Sequence, residues 1–404
     1  MIDVLVVGGG AAGLSAAIAA GRAGAKVVVL EKRDRLGKKI LASGNGRCNL
    51  SNLNLSPGHF VSHDLELLSP LLEKFSVRHA YAYWQELGLE LTTEDGRVYP
   101  RTMQAKSVLE VLSHELTRLN VDITLSAPVT SIKALDGRTL EIMSLKQNPL
   151  RARSVVLATG GKAAPQLGCS GDGYTLAAGF GHTVVAPAPA LVGLRLASPY
   201  LKLLSGLRLQ ARVSIPELAR EEAGEVLFTD YGISGIPVFD LTAYIGHGKS
   251  LTLHLCLAEQ TCLADLLAFL EARLELLAHK NMHDALQGYV PTHLITPLLR
   301  EAGLPPDLPA HKAPGHPLIR LASLLWDWTF PILGLNTWEQ AQTTWGGVPL
   351  GEVEVPSLRS KKHPGLFLAG ELLDVHGRCG GYNLHWAFAS GNAAGESAAL
   401  SAQH

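Results

Sequence analysis

The first thirty residues switch between two hydrophobic periods. Ile2, Val4, Leu5, Val6 and Val7 form an almost unbroken apolar run, as a strand buried on both faces requires. Leu14, Ala16, Ala17, Ile18 and Ala20 then predict a tightly packed helix that stops near Gly24, and Lys26 to Leu30 predicts a second strand ending at Glu31. Between strand and helix stand Gly8, Gly10 and Gly13. Gly8 permits the sharp turn, Gly10 lets backbone approach a phosphate, and Gly13 lets the helix lie close to the sheet; Ala12 is equally small. The helix N-terminus offers free amides to an anion, and Glu31, about 20 residues on, suits ribose hydroxyls. A dinucleotide pyrophosphate site follows from this order.

Further along, the pattern predicts a helix around Tyr81 to Leu87, a turn at Glu94-Asp95-Gly96 and a helix from Lys106 to Leu119. Ser154 to Gly161 reads as a β-branched strand ending in glycines, returning the chain to the first sheet. Leu366 to Ala369 is another strand, and a helix starts near Asn383. Between Gly181 and Gly346 the character changes: Pro187 and Pro189 mark a linker, and Leu207 to Ile215 and Ser250 to Leu257 alternate as strands. Leucines at 263, 266, 267, 270, 274 and 277 make Cys262 to Ala278 an amphipathic helix, and prolines in 304 to 317 interrupt the helical pattern before Leu318 to Asp327. The expected fold is α/β. A Rossmann-like FAD-binding domain is assembled from both chain ends (1–185 and 346–404) and interrupted by a β-rich insertion (186–258 and 318–345) that carries a helical subdomain (259–317).

The choice of FAD over a nicotinamide dinucleotide rests on four further segments. Leu36 to Asn52 is a loop of small and turn-forming residues, including Lys39, Ser43, Gly44, Asn45, Cys48 and Asn49, suited to close approach to a long cofactor. The strand ending at Thr159 and Gly160 has no purpose in a nicotinamide domain. Leu167 to Gly179 sets Asp172 between glycines at a helix entry, as N-cap or ligand. Gly365 to Gly391 repeats strand, glycine loop and helix: Gly370, Glu371 and Asp374 stand where a ribityl chain could be bonded, and Gly381, Asn383 and Leu384 open a helix whose dipole could face the flavin pyrimidine.

Composition narrows the class. The chain has 404 residues, 47% hydrophobic, with a formal net charge of -1, which supplies no field for nucleic acid or an anionic membrane. No apolar run reaches bilayer length, the first strand begins at once, and five cysteines without a CxxC pair suggest reduced thiols; a cytoplasmic protein is expected. Sixteen histidines show no metal-binding spacing, so no metal is expected. A small-molecule substrate is expected, with no nucleic-acid or membrane partner, and the oligomeric state is open.

The segments ILASGNGRCN, VVLATGG, GCSGDGYTLAAGFGHTVV, LFTDYGISGIPV, WGGVPLGEV and AGELLDVHGRCGGYNL together resemble the BaiN-like NAD(P)/FAD-dependent oxidoreductases over nearly the whole chain, and more distantly fumarate reductases and ketosteroid dehydrogenases. The resemblance implies non-covalent FAD held by residues matching Gly8, Gly10, Gly13, Glu31, the Ser43 to Asn49 loop, Val129, Gly160 and Gly370 to Leu384. Lys32, beside Glu31, completes the cofactor candidates. Cys169, Ser170, Asp230 and Trp345 depart from the family's usual residues, in or near the presumed substrate side.

For chemistry, Arg47 and Arg378 each precede a cysteine in loops expected near the flavin, and could serve as acid or carboxylate anchor, or only brace their loops. Tyr382, His376 and His385 are further proton donors to weigh against packing roles; Arg101 and Lys106 could attract an anion. A Cys48–Cys379 disulfide is conceivable, small buried thiols being commoner. No second glycine fingerprint follows, so NAD(P)H would be a transient donor of hydride to flavin N5, and an activated carbon–carbon double bond the acceptor. One alternative is a structural or sensory FAD whose insertion binds a macromolecule. Another is an NADP dehydrogenase with Lys32 and Arg33 on the 2′-phosphate, which Glu31 would repel.

Overall fold

The computed structural model describes residues 1–136, 139–145, 147–248 and 250–403. They form two compact units, Met1–Ala190 with Thr337–His404, and Leu191–Asn336. The protein is α/β with a Rossmann-like sheet and a barrel-bearing insertion.

In the first unit, five strands run parallel in the order Leu366–Leu368, Gln147–Leu157, Ile2–Val7, Val27–Leu30, Asp122–Thr124. Their apolar runs fit a sheet covered on both faces, and Val4, Leu5, Val6, Val29, Val155, Val156 and Leu368 are buried. The return strand is longer than the β-branched stretch alone, starting at Gln147, because its first half pairs with Leu140–Ser144 as an antiparallel extension. The first helix, Ala11–Arg22, packs along the C-terminal helix, Tyr382–Gln403. Their small residues are a steric requirement: a Cβ on Gly391 would stand 2.2 Å from the carbonyl oxygen of Ala12, and one on Gly395 2.1 Å from that of Ala16. The helix expected around Tyr81 to Leu87 begins earlier, at Val77, where the Ser76 hydroxyl accepts the amide of His79. Leu91–Glu94 and Arg97–Pro100 form the hairpin around Asp95-Gly96, and Ala105–Arg118 the next helix.

One expectation is corrected here. The segment holding Pro187 and Pro189 is not a linker but a strand, Val185–Ala190, paired with Thr343–Gly347. A two-stranded ladder leaves an edge where proline's missing N–H costs nothing, and an irregularity between Val185 and Ala188 accommodates the ring.

The second unit is a closed barrel of six antiparallel-paired strands in the order Leu194–Leu196, Gly232–Ser234, Arg220–Phe228, Arg208–Ile215, Thr252–Cys256, Trp328–Leu335. Closure removes the exposed sheet edges. Helices Leu263–Leu276, Met282–Leu286, Thr292–Ala302 and Gly315–Trp326 share its core, where Leu266, Leu270, Leu294, Leu298 and Leu321 are fully buried. Leucine periodicity thus marks packing, with the Cys262 sulfur accepting the amide of Asp265 at the helix start.

Candidate functional site

The glycine turn has the geometry its spacing predicts. Gly8 sits at φ +109, and a side chain there would strike the Ala158 carbonyl oxygen at 2.5 Å. A Cβ on Gly13 would lie 1.8 Å from the carbonyl oxygen of Gly8. Gly10 differs: apart from its own chain neighbours, no protein atom lies within 4 Å of where its Cβ would stand. The open space is at the N-terminus of a 12-residue helix with no side-chain cap, so free amides face a gap that a pyrophosphate fits.

At the end of the second strand, Glu31 accepts the amides of Gly9 and Arg33, each at 2.7 Å, one on each oxygen. A carboxylate has about four acceptor positions, so two stay available for hydroxyl donors such as a ribose diol. The adjoining cavity is lined by Val7, Gly8, Leu30, Glu31, Lys32, Ala127, Pro128, Val129, Thr159, Gly168, Asp172 and Leu176. Asp172 is the first residue of helix Asp172–Ala178; Gly171 takes the N-cap position. Its carboxylate instead pairs with Lys32 at 2.6 Å and accepts from Ser170, while Lys32 also reaches Ser170. Burial works against the charge on Asp172, but Lys32 and Ser170 outweigh it and its pKa is lowered.

Further along the cleft, Lys39 pairs with Glu371 at 2.7 Å, and Glu371 also accepts from the Thr344 hydroxyl at 2.7 Å. Burial opposes the ammonium, yet the Glu371 carboxylate raises the Lys39 pKa overall. Gly160, in the left-handed region, passes close to the Cys169 sulfur. Gly370 donates its amide to Ser390 Oγ at 2.9 Å and its carbonyl accepts from Trp386 Nε1, which fixes the loop against the C-terminal helix beside Ala12.

The two glycine loops meet at the far end. Gly44, Asn45 and Cys48 have φ between +54 and +61, a tight left-handed loop in which the Cys48 N–H donates to the Ser43 carbonyl. Asn52 Nδ2 donates to the Gly380 carbonyl, and a Cβ on Gly381 would strike the Ser51 carbonyl and Asn49 Oδ1. Asn49 Oδ1 is buried with no partner among the described residues, an acceptor left open where a flavin ring N–H could donate. Asn383 spends its amide differently: Oδ1 accepts from, and Nδ2 donates to, the backbone of Gly377 at 2.8 Å each. Leu384 is half-buried against the core.

Of the proposed chemistry residues, Arg47, Tyr382 and His385 already have side-chain partners. Arg47 pairs with Glu94 at 3.1 Å and lies over the Tyr99 ring, and the Arg378 amide donates to the His59 carbonyl. Tyr382 is buried with its ring stacked on His59 at 4.8 Å. His385 Nε2 donates to the Phe75 carbonyl and Nδ1 accepts from Ser51; burial pushes its pKa down to about 4, so it is a neutral structural group. Arg101 is exposed, and exposed Lys106 lies near Glu110 at 3.5 Å. Cys48 and Cys379 are not joined in a disulfide, which corrects that idea; burial pushes the Cys48 thiol up to about 12. Gly9, Thr344 and His63 also contribute, with no local sequence pattern to mark them. His63 Nδ1 donates to Asp374 Oδ2 at 2.6 Å, and its backbone N–H reaches the same oxygen. Asp374 is thus turned toward His63, a pairing across 311 positions that no local pattern announces.

Residues 2–397 match the family described as HI0933-like protein Rossmann domain. This chain belongs to that family. It is an oxidoreductase family with a flavoprotein fold, the group that the motif resemblance identifies. A 3-dehydro-bile acid delta(4,6)-reductase of Clostridium scindens is 37% identical over 98% of both chains. A ribosomal RNA dihydrouridine synthase of Escherichia coli is 30% identical over 96% of both. The fold is also similar to that of a 3-ketosteroid-delta4-(5alpha)-dehydrogenase from Rhodococcus jostii (TM-score 0.53, 17% identity, 98% of this chain and 96% of that one). A flavocytochrome c3 fumarate reductase gives TM-score 0.52 at 17% identity, covering 100% of this chain and 79% of that one.

Proposed function

We propose that this protein is an FAD-dependent reductase of carbon–carbon double bonds conjugated to a carbonyl in small organic molecules, with NAD(P)H as transient donor. The observation that carries the reading is the open cradle at Gly10, held in one unit with the Glu31 carboxylate, the Lys39–Glu371 pair and the unpartnered Asn49 Oδ1, polar groups of the kind FAD requires. Gly8, Gly10, Ala12 and Gly13 would hold the pyrophosphate and Glu31 the ribose, with Lys32, Val129, Thr159, Gly160 and Asp172 around the adenosine. Lys39, Glu371 and Asp374 would border the ribityl chain, and Ser43 to Asn49 with Gly370 and Gly381 to Leu384 the ring. Bound FAD supplies two-electron storage and hydride transfer. The chain's own residues exclude water, hold the ring edge and deliver protons.

The bile-acid relative supports a substrate with a polarised C=C. The dihydrouridine synthase relatives name a product whose formation also saturates a C=C next to a carbonyl, but on RNA. Charge favours the small molecule: residues 191–336 hold eleven Lys and Arg against fourteen Asp and Glu, which repels a phosphate backbone.

The test is direct. Purified protein should show a flavin spectrum that bleaches under NADH or NADPH and returns with a 3-dehydro-delta(4,6) bile acid, a 3-keto-delta(4) steroid or 2-cyclohexenone. A protein that is colourless and cannot be reconstituted with FAD sinks the cofactor reading. Re-oxidation by ribosomal RNA and by none of the small enones would move the substrate to RNA.

A further inference from the structure

One polar pair on the segment proposed to border the ring has a buried inner member and an exposed outer one. Asp374 is 1% exposed, and Oδ2 accepts both the backbone N–H of His63 (3.0 Å) and its Nδ1 (2.6 Å). Because a carboxylate only accepts, Nδ1 carries a proton and Nε2 is left as the working nitrogen. The His63 side chain is 49% exposed, with its ring edge-on to Trp345 at 5.2 Å. Two backbone links fix its position. Phe60–Val61, two residues upstream, pairs with His376–Gly377, and the Asp374 amide donates to the Val348 carbonyl at 2.8 Å. The imidazole is therefore anchored on the segment between Glu371 and Gly381. The other histidines there are less accessible or already bonded: His59 takes Ser56 on Nδ1 and stacks on Tyr382, and His376 and His385 are buried.

We propose that His63, oriented by Asp374, is the proton donor to the substrate in the reductive step. The assignment rests on the C=C reductase reading above. Bound FAD, once reduced, would supply a hydride to the carbon β to the carbonyl, leaving the π pair with the α carbon and carbonyl oxygen. The Nε2–H bond of the His63 imidazolium breaks with its electron pair left on nitrogen, and the proton joins the former π pair on the α carbon as the second C–H bond. Neutral His63, still bonded through Nδ1–H to Asp374, regains its proton from water through its exposed face. Asp374 keeps the ring from turning and presents Nε2 outward, which is a positioning role.

The experiment separates half-reactions in the holoprotein. In His63→Ala, flavin content and bleaching by NAD(P)H or dithionite should match the unaltered protein, while re-oxidation by the enone slows about 100-fold and recovers with added imidazole. His63→Gln keeps an N–H for Asp374 but has no proton to give, so it should be equally slow; a His63→Gln rate near the unaltered one would overturn the assignment in favour of a structural role. A readout independent of turnover is modification of Nε2 by diethyl pyrocarbonate, followed by mass spectrometry. The saturated ketone product should protect His63 in the oxidised protein, and absence of protection counts against the proposal. If the unaltered reduced protein is re-oxidised by no enone, the reductase reading fails and carries His63 with it. If it is re-oxidised and His63→Ala is as fast, His63 alone is wrong.

Discussion

At the residue scale, the three fingerprint glycines do three different jobs, and substitution separates them. Gly13→Ala drives a methyl to 1.8 Å from a backbone oxygen, so the helix must move off the strand. We expect a loss of several kcal/mol, read as a fall in Tm of the apoprotein. Gly10→Ala meets nothing in the protein, and its backbone (φ -87) suits an L residue. Apoprotein stability should then stay within about 0.5 kcal/mol while FAD affinity falls, because the methyl occupies the gap left for phosphate. Equal losses of affinity and Tm in both variants would show that Gly10 is structural too. The thiols divide just as sharply. With its pKa pushed up to about 12 by burial, Cys48 is on the order of one part in ten thousand thiolate at pH 8, whereas Cys262 is exposed. Iodoacetamide on the folded protein should label Cys262 and spare Cys48, as peptide mapping would reveal.

At the element scale, the C-terminal helix ties the chain ends together, and both its packing and its protonation are testable. Gly395→Val would set a branched side chain 2.1 Å from the Ala16 carbonyl, so the first and last helices must separate. The expected result is a loss of several kcal/mol together with flavin content, since the helix bearing the phosphate amides moves. His385 in the same helix titrates near 4 when folded against an ordinary 6.5. The unfolded chain therefore takes up a proton that the folded chain refuses. Its contribution is complete above pH 6.5 and is lost as pH falls toward 4, up to about 3 kcal/mol. Denaturant melts between pH 4 and 7 should show that slope, flattened in His385→Gln; an unchanged slope would place the acid sensitivity elsewhere. Legibility followed the same scale. The strand, glycine and helix signals at both ends were readable because each is a local pattern with one steric solution. Asp374–His63, Lys39–Glu371 and Thr344–Glu371 were not, since each partner is chosen by the fold across tens to hundreds of residues. Pro187 and Pro189 misled because proline's penalty vanishes on a ladder edge, which sequence cannot see.

At the scale of the whole molecule, the cofactor unit is discontinuous and the barrel unit is continuous, which makes the location of FAD testable without any catalysis. All the proposed FAD residues fall in 1–190 and 337–404, and none in 191–336. A ligand that binds only folded protein stabilises it by RT ln(1 + [L]/Kd), about 4 kcal/mol at a thousandfold excess over Kd. Amides whose exchange requires opening of that unit should slow accordingly, in Ile2–Val7, Ala11–Arg22, Gln147–Leu157 and Tyr382–Gln403. Exchange in the barrel strands Arg208–Ile215 and Thr252–Cys256 should change little, since their hydrogen bonds and core are internal to the other unit. Hydrogen exchange with and without FAD reads both sets in one measurement. Protection concentrated in the barrel would put the cofactor in the wrong unit, whereas protection confined to the two chain ends shows that the glycine turn and the C-terminal helix bind one ligand between them.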